Sequence, residues 1–151
     1  MLGETDDEDL LSLFQNMTTR NEGFKRILNK YSQDLYYFLR KMGLDHEDAD
    51  ELLQDIFVEF WKAVIPNKQA ETIVINLYRL AATSCLAYPE KHNILRLHDI
   101  TSEELLIMVL KNQEEFDFAD IAQITSIPVN KLRSLFKTGI NKMNDQPNNK
   151  N

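Results

Sequence analysis

A stripe of apolar residues between Asp45 and Trp61 constrains the fold more than any other feature of the chain. Its members recur at the i, i+3, i+4 spacing of one helical face. They are Ala49, Leu52, Leu53, Ile56, Phe57, Phe60 and Trp61. Asp45 stands where a helix N-cap is expected, and Pro66 lies beyond the stripe, where its missing amide hydrogen ends a helix. The pattern predicts an amphipathic helix with one face in a core.

The opposite side of this predicted helix is acidic. It carries Asp48, Glu51, Asp55 and Glu59, with Asp50 and Gln54 beside them. Acids on an amphipathic helix are commonly a solvated face, because charged side chains are rarely buried. The same row would also suit a binding surface. The residues alone leave both interpretations open.

The composition fits a soluble globular protein. Of 151 residues, 43% are hydrophobic and 27% are charged, and the net charge is -7. This acidic balance argues against a protein that coats nucleic acid non-specifically. The sequence has neither an apolar run of membrane-spanning length nor a signal-peptide pattern, and Cys85 is its only cysteine. We therefore expect a cytoplasmic protein without an internal disulfide.

Helical stripes follow one another along the chain and predict an all-α fold. A short helix is predicted first, with acidic residues at its start. A break follows from Thr18 to Gly23, in which Thr19 and Glu22 have the spacing of a capping box. Gly43 is expected to stop the second helix. Residues 72–75 would also suit a strand, but no partner strand is predicted nearby. The helices after the break are predicted at 24–42, 45–64, 70–88, 102–112, 118–124 and 128–143.

Two domains are predicted, separated by a short linker at 89–96. The first domain covers residues 1–88 and the second covers 97–143. Thr101 and Glu104 form a second capping-box pattern at the start of the latter. The polar, Asn-rich tail at 144–151 is expected to be disordered.

The sequence does not suggest an enzyme. Its few glycines form no phosphate loop, and the acids from Asp45 to Asp55 lack the glycine and alternating oxygens of a calcium loop. His46, His92 and His98 share no zinc-site spacing, and Cys85 falls on an apolar stripe as a small core residue. We expect no cofactor, no metal and no small-molecule substrate.

The end of the chain suggests a helix-turn-helix. Residues 118–124, 125–127 and 128–137 have the pattern of helix, tight turn and helix, with Ala122 small enough to let the helices approach. Between Lys131 and Lys142 there are bases but no acid. In a DNA-binding unit the second helix enters the major groove, and Lys131, Arg133, Ser134 and Lys137 would meet phosphates and bases. A plain helical hairpin with a basic face fits the segment equally well.

Taken together, these stretches resemble a known family. Residues 48–61 closely resemble the signature of bacterial RNA polymerase sigma factors of the extracytoplasmic-function class. Residues 24–31 and 35–40 match the helix before that signature, and 77–81 (Leu-Tyr-Arg-Leu-Ala) look like the family's Leu-Tyr-Arg-Ile-Ala. Residues 97–143 are similar to its C-terminal helix-turn-helix domain. The resemblance covers nearly the whole chain except the tail.

The resemblance implies an adaptor between core RNA polymerase and promoter DNA. In the family the acidic helix docks on the clamp helices of the polymerase, where it would complement a basic partner surface. That maps to Asp50, Glu51, Leu53, Gln54, Asp55 and Phe57. The helix from Tyr78 to Lys91 would face the minus-ten element through Tyr78, Arg79 and Lys91. The last domain would face the minus-thirty-five element through Lys131, Arg133, Ser134 and Lys137.

Several departures from the family mark a divergent member. Residues 81–83 (Ala-Ala-Thr) stand where Ala-Arg-Asn is usual, and Ala87 with Glu90-Lys91 stands where Asp and an arginine pair are usual. Fewer bases mean fewer phosphate contacts and weaker DNA binding. Leu135 and Thr138 replace common basic residues. Glu115 and Ser126 replace glycines that usually mark turns.

These features support alternative hypotheses. One is a sigma-like initiation factor with weakened DNA contacts. Another is a degenerate paralogue that binds polymerase or an anti-sigma protein without reading promoters. A stand-alone helix-turn-helix repressor would need a dimer surface, and the sequence indicates no clear one.

Overall fold

The protein is described by a computed structural model that covers residues 6–63, 71–88 and 98–145. Within these ranges the structure is helical and contains no strand, which confirms the predicted all-α fold. A π-helical turn, Val109–Gln113, continues the fifth helix. The helices are α1 Asp7–Gln15, α2 Arg20–Lys41, α3 His46–Lys62, α4 Glu71–Ala87, α5 Ser102–Met108, α6 Phe118–Thr125 and α7 Val129–Asn144.

The predicted linker at 89–96 lies outside the described residues, and so does all but the start of the predicted tail. The division into two domains therefore stays a prediction. Residues 72–75, which would also have suited a strand, belong to α4. In the described part of the chain, every helix is too short or too polar to cross a membrane.

Side-chain caps fix the starts of several helices. The Asp45 carboxylate accepts the Asp48 amide at 2.8 Å, as the acidic start of α3 predicted. At α5 the predicted capping box is complete. The Thr101 hydroxyl accepts the Glu104 amide, and the Glu104 carboxylate accepts the Thr101 amide, each at 3.0 Å. Each of these caps pairs a terminal amide that has no partner within its helix.

The capping box predicted at Thr19 and Glu22 is wrong. The Thr19 hydroxyl instead donates to the Leu13 carbonyl at 2.7 Å, and the Glu22 carboxylate pairs with Arg26 at 2.7 Å. Helix α2 begins at Arg20, so Gly23 lies inside the helix rather than in a break. The contact with Leu13 explains why the capping bond is absent. Helix α1 packs so closely against this turn that the Thr19 hydroxyl bonds the Leu13 carbonyl instead of an amide at the start of α2.

The predicted start of the last helix, at Pro128, is one residue too early. Pro128 is the N-cap of α7, with an extended backbone at ψ 149, and Val129 is the first helical residue. The helix that follows ends at Asn144, close to the predicted end.

An aromatic cluster joins α1, α2 and α3. The Phe14 ring stacks on Phe60 at 5.2 Å between centroids, and the rings of Phe24 and Trp61 meet edge to face at 5.0 Å. The Arg20 guanidinium lies 4.0 Å from the Phe14 ring centroid and 4.5 Å from that of Trp61. It also donates to the Trp61 carbonyl, so Arg20 fastens the last turn of α3 to the start of α2.

The core continues from these helices into the C-terminal part. Buried residues of α4, including Leu77 and Tyr78, belong to the same apolar cluster as Leu106, Leu110 and Ile121. Within the C-terminal part, the Lys142 ammonium donates to the buried Glu104 carboxylate at 2.9 Å. Burial alone would raise the pKa of Glu104, but its bonds from Thr101 and Lys142 lower that pKa overall. The pair holds the end of α7 against the start of α5.

Glu115 and Ser126, which stand where the resemblance leads one to expect turn glycines, both adopt a left-handed backbone. Glu115 and Ser126 both have φ 64, a region in which a Cβ atom is crowded. Ser126 directly follows α6 and lets the chain turn sharply into α7. The two positions keep the turn conformation without the residue that best tolerates it.

Ser126→Gly is therefore expected to raise the free energy of unfolding by about 1 kcal/mol, because glycine removes the Cβ crowding of the left-handed region. Urea unfolding followed by circular dichroism measures the change. Ser12→Gly is the matched control, since Ser12 is an exposed residue inside α1. We expect the control to lose about 0.5–1 kcal/mol. A loss of stability in both variants would contradict a strained turn at Ser126.

Candidate functional site

A groove of about 450 Å³ lies between α2 and α3. Apolar side chains form most of its wall. From α2 these are Phe24 and Leu28, joined by the polar Ser32, and from α3 they are Leu53, Phe57, Val58 and Trp61, joined by the polar Gln54. The size is within the range of grooves that accept a small ligand or one face of a partner helix.

The register of α3 explains why the groove is lined in this way. Leu53, Phe57 and Trp61 follow one another at i, i+4 along the edge of the buried stripe. Phe57 is buried at 4% exposure, whereas Leu53 and Trp61 are partly buried and Val58 is 50% exposed. The groove is thus a margin of the core that the neighbouring helix α2 does not fully cover.

The structure brings together only part of the predicted polymerase-binding set. Leu53, Gln54 and Phe57 line the groove. Asp50, Glu51 and Asp55 are exposed on the same helix and do not line it. The Asp50 carboxylate lies 3.9 Å from the His46 ring, one turn away. Helix α3 therefore presents an apolar margin with acids beside it on its outer surface.

On α4, the predicted DNA-facing residue Tyr78 is buried at 5% exposure. Its hydroxyl donates to the Glu114 carboxylate at 2.9 Å. Its ring meets Phe38 at 5.3 Å and Phe116 at 5.0 Å between centroids, edge to face. Burial first, and then the Glu114 carboxylate, raises the pKa of Tyr78. The hydroxyl therefore stays protonated and donates.

The neighbouring Arg79 also faces the C-terminal part of the chain. Its guanidinium donates to the Gln123 carbonyl from Nε at 3.2 Å and from Nη2 at 2.7 Å. A third bond runs to Asn76 at 3.1 Å. Gln123 lies in the last turn of α6, where carbonyls lack helical partners and attract cations. Lys91, the other residue predicted to face DNA from this helix, lies outside the described residues.

Comparison with known families bears directly on the groove. Residues 27–68 match the family model of sigma-70 region 2. The sigma-70 region 2 match contains all of α3 and most of α2, and so it contains residues from both walls of the groove. It supports a sigma-70 family relationship for this part of the chain. A search of curated proteins found no match to the chain.

The C-terminal part lies beyond the sigma-70 region 2 match and has the geometry of a helix, a tight turn and a helix. Ile121 and Leu132 are fully buried between α6 and α7, and Ile127 packs beside them. The predicted contact residues Lys131, Arg133, Ser134 and Lys137 are all exposed on α7. The Arg133 guanidinium lies 5.4 Å from the Phe118 ring centroid. This face of α7 is available to a partner.

The described ranges contain no cluster of three or more histidine, cysteine or acidic side chains that could hold a metal ion. Cys85 is buried, as its place on the apolar stripe predicted, and burial raises the pKa of Cys85 to about 12. Its thiol is therefore a poor nucleophile.

Sequence reasoning missed several residues that shape these surfaces. Phe24 and Leu28 were assigned to a core face, yet they form a wall of the groove together with Ser32. Their i, i+4 spacing predicted a shared face but not that it would be incompletely covered. Glu114 was not singled out at all, although it accepts bonds from both Tyr78 and Lys41. No local pattern indicates a contact between residues so far apart in sequence.

Proposed function

We propose that this protein is a sigma-like transcription initiation factor of the extracytoplasmic-function class, which binds core RNA polymerase and directs it to promoter DNA. The observation that carries the proposal is the groove beside the acidic face of α3, inside the segment that matches sigma-70 region 2. The protein acts as an adaptor in the cytoplasm rather than as an enzyme.

The docking surface on α3 has separate apolar and charged parts. A helix of the polymerase places an apolar edge along Leu53, Phe57 and Val58, where burial of a half-exposed valine adds to affinity. The exposed acids Asp50, Glu51 and Asp55 face basic residues of that helix. Such charges mainly set the association rate and the register, whereas the apolar contacts slow dissociation.

The promoter would be read by α7. Lys131, Arg133 and Lys137 lie on the exposed side of this helix, while the buried Leu132 anchors its other side. Exposed bases near the start of a second helix suit phosphate and base contacts in the major groove. An anti-sigma protein would compete for the same surfaces.

A second candidate function is a degenerate paralogue that binds polymerase or an anti-sigma protein without reading promoters. The observation that favours it is that the predicted DNA-facing side chains of α4 are engaged within the protein. Tyr78 is buried and Arg79 is bonded to Gln123, so neither is free to meet DNA in this arrangement. Run-off transcription with reconstituted polymerase separates this candidate from an initiation factor.

The first experiment is co-elution with core RNA polymerase. Gln54→Ala combined with Asp55→Lys is expected to weaken binding about tenfold, since a changed charge pair at a rim costs roughly 1–2 kcal/mol. Both side chains are exposed, so circular dichroism should show an unchanged helical content.

Gln33→Ala combined with Asp34→Lys is the matched control. It makes the same chemical change on exposed residues of α2 that do not line the groove. This control should bind like the wild type. Equal weakening in both variants would assign the effect to net charge, and no co-elution of the wild type at low salt would reject the polymerase-binding proposal.

A further inference from the structure

A second pocket, of about 490 Å³, opens along the last turns of α2. It is lined by Asp34, Tyr37, Arg40 and Lys41 of α2, with Glu114 from the C-terminal part. This pocket and the groove between α2 and α3 share none of these lining residues. Its volume is within the range of pockets that bind small molecules. Because each of these side chains carries a charge or a hydroxyl, the pocket suits a polar ligand rather than an apolar helix.

The charges of this pocket are only partly paired within the protein. The Glu114 carboxylate, at 10% exposure, accepts Lys41 and the Tyr78 hydroxyl, each at 2.9 Å. The exposed Arg40 and Asp34, by contrast, form no ion pair within the described part of the chain. The Arg40 guanidinium donates to the neutral Tyr36 hydroxyl at 3.2 Å and keeps further N–H donors for a ligand. A positive and a negative charge are therefore both available in one pocket.

An aromatic ring lies between these two charges along α2. Tyr37 is 49% exposed, although it is a large aromatic residue. Its ring meets that of Tyr36 edge to face at 5.3 Å between centroids, and the Tyr36 hydroxyl also accepts the bond from Arg40. One neighbour thus positions both the exposed ring and the guanidinium. A ligand would lose less free energy in ordering these groups than in ordering free side chains.

The spacing of the charges restricts the class of ligand. Asp34 and Arg40 are separated by about 9 Å along the axis of α2, at the rise of a regular helix. A free amino acid carries its ammonium and carboxylate on one carbon atom, too close together to reach both residues. A purine nucleotide carries its phosphate and the donor edge of its base at opposite ends, with a flat ring between them. Lys41 adds a second cation beside Arg40, and two adjacent cations suit a phosphate better than a single carboxylate.

The carboxylate of Asp34 also distinguishes between purines. An ionised carboxylate only accepts hydrogen bonds. Guanine offers two neighbouring donors on its pairing edge, at N1 and N2, whereas adenine offers a donor at N6 beside an acceptor at N1. We propose that this pocket binds a guanine nucleotide, with the phosphate on Arg40 and Lys41, the base on Tyr37 and the base edge on Asp34. The site lies apart from the groove and from α7, so it is independent of polymerase and promoter binding.

Isothermal titration calorimetry of the full chain with GMP, at low salt, tests the site. We expect one nucleotide per chain with a dissociation constant below about 1 mM, and AMP binding weaker by about fivefold or more. Equal binding of pyrophosphate would reduce the pocket to an anion site and overturn the proposal. A guanosine within a nucleic-acid strand presents the same base and phosphate. Binding of a guanine-containing single-stranded oligonucleotide without binding of GMP would also overturn the proposal of a free nucleotide.

Asp34→Asn tests the recognition of the base, with Asp9→Asn as the matched control. Asparagine keeps one acceptor but places a donor against guanine, so GMP should bind about tenfold more weakly while AMP changes by less than about twofold. Asp9 is exposed on α1, and its variant makes the same change of net charge. Equal weakening in both variants would assign the effect to net charge. Equal loss of GMP and AMP in Asp34→Asn would contradict selection by the base edge.

Two further pairs of variants separate stacking from phosphate binding. Tyr37→Leu should weaken GMP about tenfold, whereas Tyr37→Phe, which keeps the ring, should stay within about twofold of the wild type. Arg40→Gln should weaken GMP and AMP alike, by about tenfold, and Arg26→Gln at an exposed position of α2 is its control. The substituted side chains are exposed, so circular dichroism should show an unchanged helical content. Full GMP binding by both Tyr37→Leu and Arg40→Gln would overturn the proposed site.

Discussion

Gly23→Ala is expected to lower the free energy of unfolding by about 3 kcal/mol, the upper part of the usual range for overpacking. A Cβ atom at this position would lie 2.5 Å from the Phe14 amide nitrogen and 2.8 Å from the Leu13 carbonyl carbon. Both are backbone atoms of α1, so a change of side-chain rotamer cannot relieve the clash. Helix α1 would have to move away, and Phe14 would lose its stacking contact with Phe60.

Gly139→Ala is the control for that change, because it is also a glycine in a helix at a helix–helix contact. Its Cβ would meet the Met108 side chain at 3.2 Å, and methionine adapts its shape easily. Alanine also favours a helix over glycine by about 1 kcal/mol, which offsets the contact. Urea unfolding should therefore place Gly139→Ala within about 1 kcal/mol of the wild type. Similar losses of stability in both variants would contradict the backbone clash expected between α1 and α2 at Gly23.

If α7 reads DNA as proposed, Lys131→Glu combined with Arg133→Glu is expected to weaken DNA binding about 100-fold, because two proposed phosphate contacts would become repulsive. The salt dependence should also fall, with the slope of log affinity against log salt reduced by about 2. Binding of a double-stranded oligonucleotide at several salt concentrations measures both quantities. Polymerase co-elution should be unchanged, because the α7 face is distinct from the groove of α2 and α3.

The matched control is Lys25→Glu combined with Arg26→Glu, an exposed pair on α2. It changes the net charge by the same amount but leaves α7 intact. DNA affinity should fall only slightly in this control. If DNA binding survives charge reversal on α7, that helix does not read DNA, and the C-terminal part is a helical hairpin with a basic surface.

Local features of the sequence predicted most of the helices. The apolar stripe of α3 and its Asp45 cap follow from spacing and from the chemistry of one side chain, and both are confirmed. The Thr101–Glu104 capping box is confirmed for the same reason. Features of this kind depend on residues within one or two helical turns, which a sequence pattern contains in full.

Contacts between distant segments could not be predicted in the same way. Arg20 lies between Phe14 and Trp61, and Glu114 joins Lys41 to Tyr78. Each of these contacts depends on how helices that are distant in sequence pack together, and the periodicity of a single helix does not indicate that packing. The missing capping bond of Thr19 has the same origin, since a tertiary contact with Leu13 displaced a favourable local one. The groove arose similarly, from the incomplete cover of a stripe that was itself correctly predicted.

The π-helical turn Val109–Gln113 ends the fifth helix with one residue more than a regular α-helical turn holds. Loss of one residue here would therefore be absorbed if the turn closes as a regular α-helical turn, and Glu114 would keep its direction toward Lys41 and Tyr78. Gain of one residue lacks this outlet, because each added residue rotates the next side chain by about 100° around the helix axis. We expect deletion of the exposed Asn112 to be tolerated where an insertion beside it is not, so genetic variation in length at this turn would favour shortening.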